Sequence, residues 1–171
     1  MMKKGLPPFL LFLSGMGAGG LLTLNGENKF LCQKQELAEK FRIMYQMMEK
    51  WMRLKQGGVS LAGFFQAAGY ERIAIYGMGE IGQLLLCELN GSGIQVAYGI
   101  DRNENIKAEI PVYRPSPELK PVDAVVVTAI AYYDEIVPAL HAFLDCPVLS
   151  MENIVAAQCY ELELRPPELR R

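Results

Sequence analysis

The sequence predicts an α/β fold: a parallel sheet of about five strands in the order 3-2-1-4-5, flanked by helices, behind a hydrophobic N-terminal segment and a long amphipathic helix. Three observations predict it. Ile73-Ala74-Ile75-Tyr76 is an apolar strand that runs into Gly77, Gly79 and Gly82 and then into a helical pattern, the strand, turn and helix of a G-x-G-x-x-G unit. Asp101 follows the glycines by about 20 residues and ends a second strand, where such a fold places the acid that meets a ribose. Asp123-Ala124-Val125-Val126-Val127-Thr128 is a continuous apolar run, as parallel strands are when both faces are covered.

The 171 residues, 51% of them hydrophobic, suffice for one substantial core with appendages. A net charge of -2 with 21% charged residues leaves no basic excess for a phosphate backbone, so nucleic acid is not an expected partner. The four cysteines, Cys32, Cys87, Cys146 and Cys159, form no C-x-x-C pair and read as reduced, structural thiols. A single histidine, His141, excludes a histidine-rich metal site or a mechanism with two imidazoles, and no metal is expected.

Residues 6–24 carry no charge and are about as long as a bilayer-crossing helix requires. A membrane anchor, a cleaved signal peptide and a glycine-rich leader are the three readings; Gly15-x-x-x-Gly19 would give an anchor a close-packing face. Lysines flank both ends, Lys3 and Lys4 before and Lys29 and Lys34 after, so charge does not set an orientation. From Asn28 to about Lys55, Phe30, Leu37, Phe41, Met44, Met48 and Trp51 form one stripe of a long helix. It reads first as a helix packed on the following domain and second as a coiled-coil seam between copies. Gln56-Gly57-Gly58 ends it, and Ser60 caps a short helix from Leu61 to Ala68. The expected divisions are therefore 1–24, 25–69, a nucleotide-binding domain over 70–158, and a loosely held tail over 159–171.

Within that domain a helix runs from Glu80 to Leu89, with Ile81, Leu84, Leu85 and Leu89 toward the sheet. Ile94 to Ile100 is the second strand, Pro111 to Tyr113 a short edge strand, and Pro115 to Leu119 a turn. A helix from Tyr133 to Leu144 follows the buried strand. Cys146 to Ser150 closes the sheet, and Glu152 to Gln158 forms a terminal helical turn.

The glycines have separate physical tasks. Gly77 permits the turn, Gly79 leaves room for a phosphate, and Gly82 lets the helix pack against the strand. Unpaired N–H groups and the positive dipole end then face an anion. Candidate ligand-binding residues are Gly77, Met78, Gly79, Glu80, Ile81 and Gly82, with Asp101, Arg102 and Thr128 at neighbouring strand ends. Asp101 suits a ribose hydroxyl, Arg102 a 2′-phosphate, and a polar turn with an exposed charge pair is the structural alternative. Glu80 suits the helix dipole but repels a pyrophosphate if it points inward. No tyrosine is followed by lysine at the fourth position, and no Gly-Lys-Ser or Gly-Lys-Thr occurs. A short-chain reductase pair and a P-loop are thereby excluded.

From Trp51 to Ile154 these motifs, with Gly99-Ile100-Asp101-Arg102-Asn103, Ile110-Pro111-Val112-Tyr113 and Cys146-Pro147-Val148-Leu149-Ser150, resemble small Rossmann-like domains. Those domains are similar to the N-terminal lobes of nucleoside-diphosphate-sugar epimerases and dehydratases, and to Rossmann lobes attached to glycosyltransferases and sugar methyltransferases. The resemblance implies binding of NAD(P) or a nucleotide sugar in cell-envelope polysaccharide assembly, at the cytoplasmic face of the membrane or in the cytoplasm. The expected role is non-catalytic or accessory, with a homo-oligomer or a partner enzyme in view. Two alternatives stand beside it: an oxidoreductase or epimerase subunit completed by a partner, and a ligand-free interaction module using the Phe30 to Trp51 stripe.

Overall fold

The computed structural model describes residues 8–103 and 105–164, with side chains from residue 31 onward. The chain forms two compact units, Met1–Arg42 and Ile43–Arg171. Helix α1 spans Pro8–Gln56, starting well before the expected Asn28. In the first unit, the described side chains 31–39 are all exposed and Arg42 pairs with Glu39 one turn back.

The second unit is the α/β domain. After α2 (Ala62–Ala67) come β1 (Arg72–Tyr76), α3 (Glu80–Leu89), β2 (Gln95–Ile100), β3 (Val112–Tyr113), β4 (Ala124–Val127), α4 (Tyr133–His141), β5 (Val148–Ser150) and α5 (Met151–Leu164). The sheet order is β3-β2-β1-β4-β5, and every pairing is parallel. This is the expected 3-2-1-4-5 order of a Rossmann-like α/β fold. Both faces of the central strands are covered, and alternation along each strand shows it. Ile73 and Ile75 of β1, with Ala124 and Val126 of β4, join one core with Leu85 and Leu89 of α3 and Ile154 and Val155 of α5. Ala74, Tyr76, Val125 and Val127 face the other core, with Ile136 and Leu140 of α4. A period of two between two apolar layers yields the unbroken apolar run read in β4.

Three expectations are corrected. The buried face of α1 is Met47, Trp51 and Leu54, at 1%, 5% and 0% exposure, whereas Leu37 and Phe41 of the expected stripe are exposed and Met44 and Met48 half-buried. The stripe faces about a quarter turn away because the groove over α2 and α3 accepts Trp51, whose indole N–H donates to Glu88 at 2.6 Å. On α3, Leu84 is exposed rather than directed at the sheet. The last helix does not stop near Gln158 but continues to Leu164, since Cys159 and Leu162 extend its apolar face onto the core. The tail beyond it, and Leu6 and Pro7 of the expected anchor, lie outside the described residues. Among the described residues no helix is long and apolar enough to cross a membrane, while side chains 8–24 of the expected anchor lie outside them.

Candidate functional site

The turn between β1 and α3 lies at the carboxyl edge of the sheet, where β1 is bordered by β2 on one side and β4 on the other. This is the topological switch point at which open α/β sheets bind ligands. Gly77 has a φ of +92°, in the left-handed region that disfavours a side chain. A Cβ there would also lie 2.8 Å from the Thr128 hydroxyl oxygen. At Gly82 a Cβ would lie 2.2 Å from the Gly77 carbonyl oxygen, so α3 approaches its own strand only because this residue has no side chain. Gly79 is the opposite case: a Cβ there meets nothing within 4 Å, and the space beside it is open.

Gly79 is also the N-cap of α3, and no side chain caps the helix. The first turn closes with Gln83 N–H donating to Gly79 O at 3.0 Å, which leaves the N–H groups of Glu80, Ile81 and Gly82 without intrahelical acceptors. These donors and the dipole define an anion-accepting end. Glu80 is exposed beside them.

Asp101 is drawn to the turn. Its Oδ2 accepts the Met78 N–H at 2.8 Å, and its Oδ1 accepts the Asn103 N–H at 2.9 Å. The carboxylate therefore locks the glycine turn to the end of β2, and Gly77 N–H adds a bond to Ile100 O at 2.8 Å. Met78 offers no side chain to a ligand, because its thioether is fully buried against Gly99. Thr128 acts from β4: its buried hydroxyl donates to Tyr76 O at 3.1 Å and approaches Gly77 O, holding the turn from below. Ile81 is half-buried against the core. Arg102 is exposed at the rim.

A pocket of 290 Å³ opens between the ends of β1, β2 and β4, bordered by Gly77, Asp101, Arg102, Ala129, Tyr132 and Glu135. The structure thus brings Gly77, Asp101 and Arg102 together around one cavity. Tyr132 and Glu135 were not anticipated, although a signal existed: a helix that follows a parallel strand starts at the sheet's carboxyl edge, so its first turn borders the site. Gln83 was also missed. Its amide donates to Lys107 O at 3.0 Å and braces the segment after β2 against α3. Among the described residues no cluster of three His, Cys, Asp or Glu side chains is placed to hold a metal ion. His141 sits at the far end of α4, about 12 Å along the helix axis from its first residue.

No protein-family model matches the chain, and no curated protein matches its sequence.

Proposed function

We propose that the chain binds a nucleotide of the NAD(P) or nucleotide-sugar class at the β1–α3 turn, as a non-catalytic or accessory protein. The observation that carries this reading is the uncapped N-terminus of α3 at the switch point, open at Gly79 and flanked by Asp101. A phosphate beside Gly79 would meet the free N–H groups and the helix dipole. Each Asp101 oxygen accepts one N–H and keeps further lone-pair capacity for ribose hydroxyls. The 290 Å³ pocket is at the lower end of small-molecule sites, about 300–1,000 Å³, which suits one half of a nucleotide rather than a whole dinucleotide. The accessory role is supported by the lack of a Tyr-Lys pair in the sequence and by the distance of His141. The motif resemblance supports a setting in cell-envelope polysaccharide assembly, at the cytoplasmic face of a membrane with residues 6–24 as tether.

Calorimetric titration of the full chain with NAD(H), NADP(H) and UDP-sugars tests the binding, with Gly79→Val as control. Saturable heat that Gly79→Val abolishes is expected. Absence of heat and of a thermal shift with every ligand overturns the reading. Alkaline extraction of membranes tests the tether, which is rejected if the chain is recovered wholly in the soluble fraction.

A further inference from the structure

Helix α1 carries more apolar surface than its own chain covers. Beside the buried Met47, Trp51 and Leu54 runs a second stripe, Leu37, Phe41, Tyr45, Met48 and Met52, at steps of four, four, three and four. Leu37, Phe41, Tyr45 and Met52 are 55%, 56%, 71% and 55% exposed. Exposed Leu84 of α3 adjoins the stripe, and Met48, Trp51, Met52, Leu84 and Cys87 line a groove of 440 Å³. Contiguous apolar patches beyond a few hundred Å² mark interaction sites on soluble proteins.

We propose that this face is the interface of a two-fold dimer, in which α1 of a second copy runs antiparallel along it and seats Phe41 in the groove. The stripe is complementary to itself in that direction. Pairing about a point between Tyr45 and Gln46 sets Phe41 of one copy opposite position 50 of the other, between Met48 and Met52. Leu37 then falls beside Met52, and the two Tyr45 rings meet at the axis. An isologous interface requires this match of a patch with its own reverse, and side chains seated between the ridges of a facing helix are its usual packing.

The charges agree with the same register. Arg42 and Glu49 share one flank of the stripe, and antiparallel pairing sets Arg42 of each copy against Glu49 of the other. Within the chain both lie on the helix surface, Arg42 with Glu39 and Glu49 with Arg53. The area is adequate: five or six large side chains about half exposed supply on the order of 500 Å² per copy, and with flanking groups this nears the ~800 Å² per partner of stable interfaces.

Sedimentation velocity of the full chain over a concentration series, with Cys87 alkylation followed by mass spectrometry, tests the proposal. The expected result is a dimer in which Cys87 is protected. Phe41→Glu should raise the dimer Kd at least about 30-fold, the effect of losing a central anchor, and should speed Cys87 alkylation. Because Phe41 is exposed in the single chain, this variant should keep the parent's circular dichroism, and its melting temperature should match the parent's at concentrations where the parent is monomeric and fall below it where the parent is dimeric. Arg42→Glu should weaken association, and adding Glu49→Arg should restore it. A chain that is monomeric throughout overturns the proposal, whether its stripe then binds another protein or lipid vesicles. A dimer that survives Phe41→Glu, as one held through residues 6–24 would, also overturns it. Nucleotide titrations of Phe41→Glu should match the parent, so the two proposals fail separately.

Discussion

Replacing Gly82 by alanine probes the contact on which the candidate site rests. The new Cβ would lie 2.2 Å from the Gly77 carbonyl oxygen, 3.2 Å from its carbonyl carbon and 3.5 Å from Ile75 Cγ2. Real Cβ contacts essentially never fall under 3.0 Å, so Gly82 of α3 and the Gly77 carbonyl in the turn after β1 must separate by at least 0.8 Å. The obstacle is backbone, not the end of a flexible side chain, and separation strains a well-packed interior. Overpacking of this kind costs about 1–3 kcal/mol, and a backbone obstacle places the value near the upper end. Alanine's better helix propensity returns about 1 kcal/mol, leaving a net loss of about 2 kcal/mol. For a chain of this length that corresponds to a fall in Tm of about 4–8 °C. Urea unfolding and thermal melts of the parent, Gly82→Ala and Gly79→Ala measure it. Gly79→Ala is the internal control, since its Cβ meets nothing within 4 Å and its φ of -67° suits alanine. The control should lose no more than about 0.5 kcal/mol, the difference between glycine and alanine at an N-cap. Equal stability of Gly82→Ala and the parent would refute the close approach of α3 to β1.

Glu88, with its side chain only 5% exposed, accepts the Trp51 indole N–H at 2.6 Å and the Leu61 N–H at 2.8 Å, and meets the Lys55 ammonium at 3.3 Å. Glu88→Ala strands both N–H groups and should cost about 2–4 kcal/mol; the emission of Trp51, the single tryptophan, should shift to the red. Thr128→Val removes the hydroxyl that holds Tyr76 O and Gly77 O. It should cost about 1 kcal/mol and weaken nucleotide binding without abolishing it, as a denaturation curve and a titration will show. The Arg72 and Glu71 N–H groups, in that order, hold the Asp123 carboxyl below the usual carboxylate range. Its stabilising contribution is present above the unfolded value of about 3.9 and is lost as pH falls through the lower folded value. The stability gap between the parent and Asp123→Asn should therefore be constant above about pH 5 and narrow below about pH 4.

Much of the domain was legible because the rules that build it are local. Ile73 to Tyr76 and Ala124 to Val127 declare buried parallel strands by composition, and the spacing of Gly77, Gly79 and Gly82 declares the turn. The edges were less legible. The final helix passes Gln158 because Cys159 and Leu162 find core to cover, which depends on partners distant in sequence. The site was legible in its glycines and in Asp101, but not in Tyr132, Glu135 or Gln83, which reach it through the start of α4 and the inner face of α3.

The sequence by itself determined the strands and the glycine turn, since steric tolerance at a turn and periodicity along a strand are properties of a few neighbouring residues; the strand order came only with the fold class that this turn implies. Only the tertiary structure decided which of the two apolar stripes of α1 is buried. Both have helical spacing, and the choice falls to Met47, Trp51 and Leu54 because the groove over α2 and α3 supplies the Glu88 carboxylate to the Trp51 indole and covers the rest with core. The same arrangement turns the Asp101 carboxylate onto the Met78 N–H. That contact joins the turn after β1 to the residue that follows β2, and it exists only once β1 and β2 lie side by side.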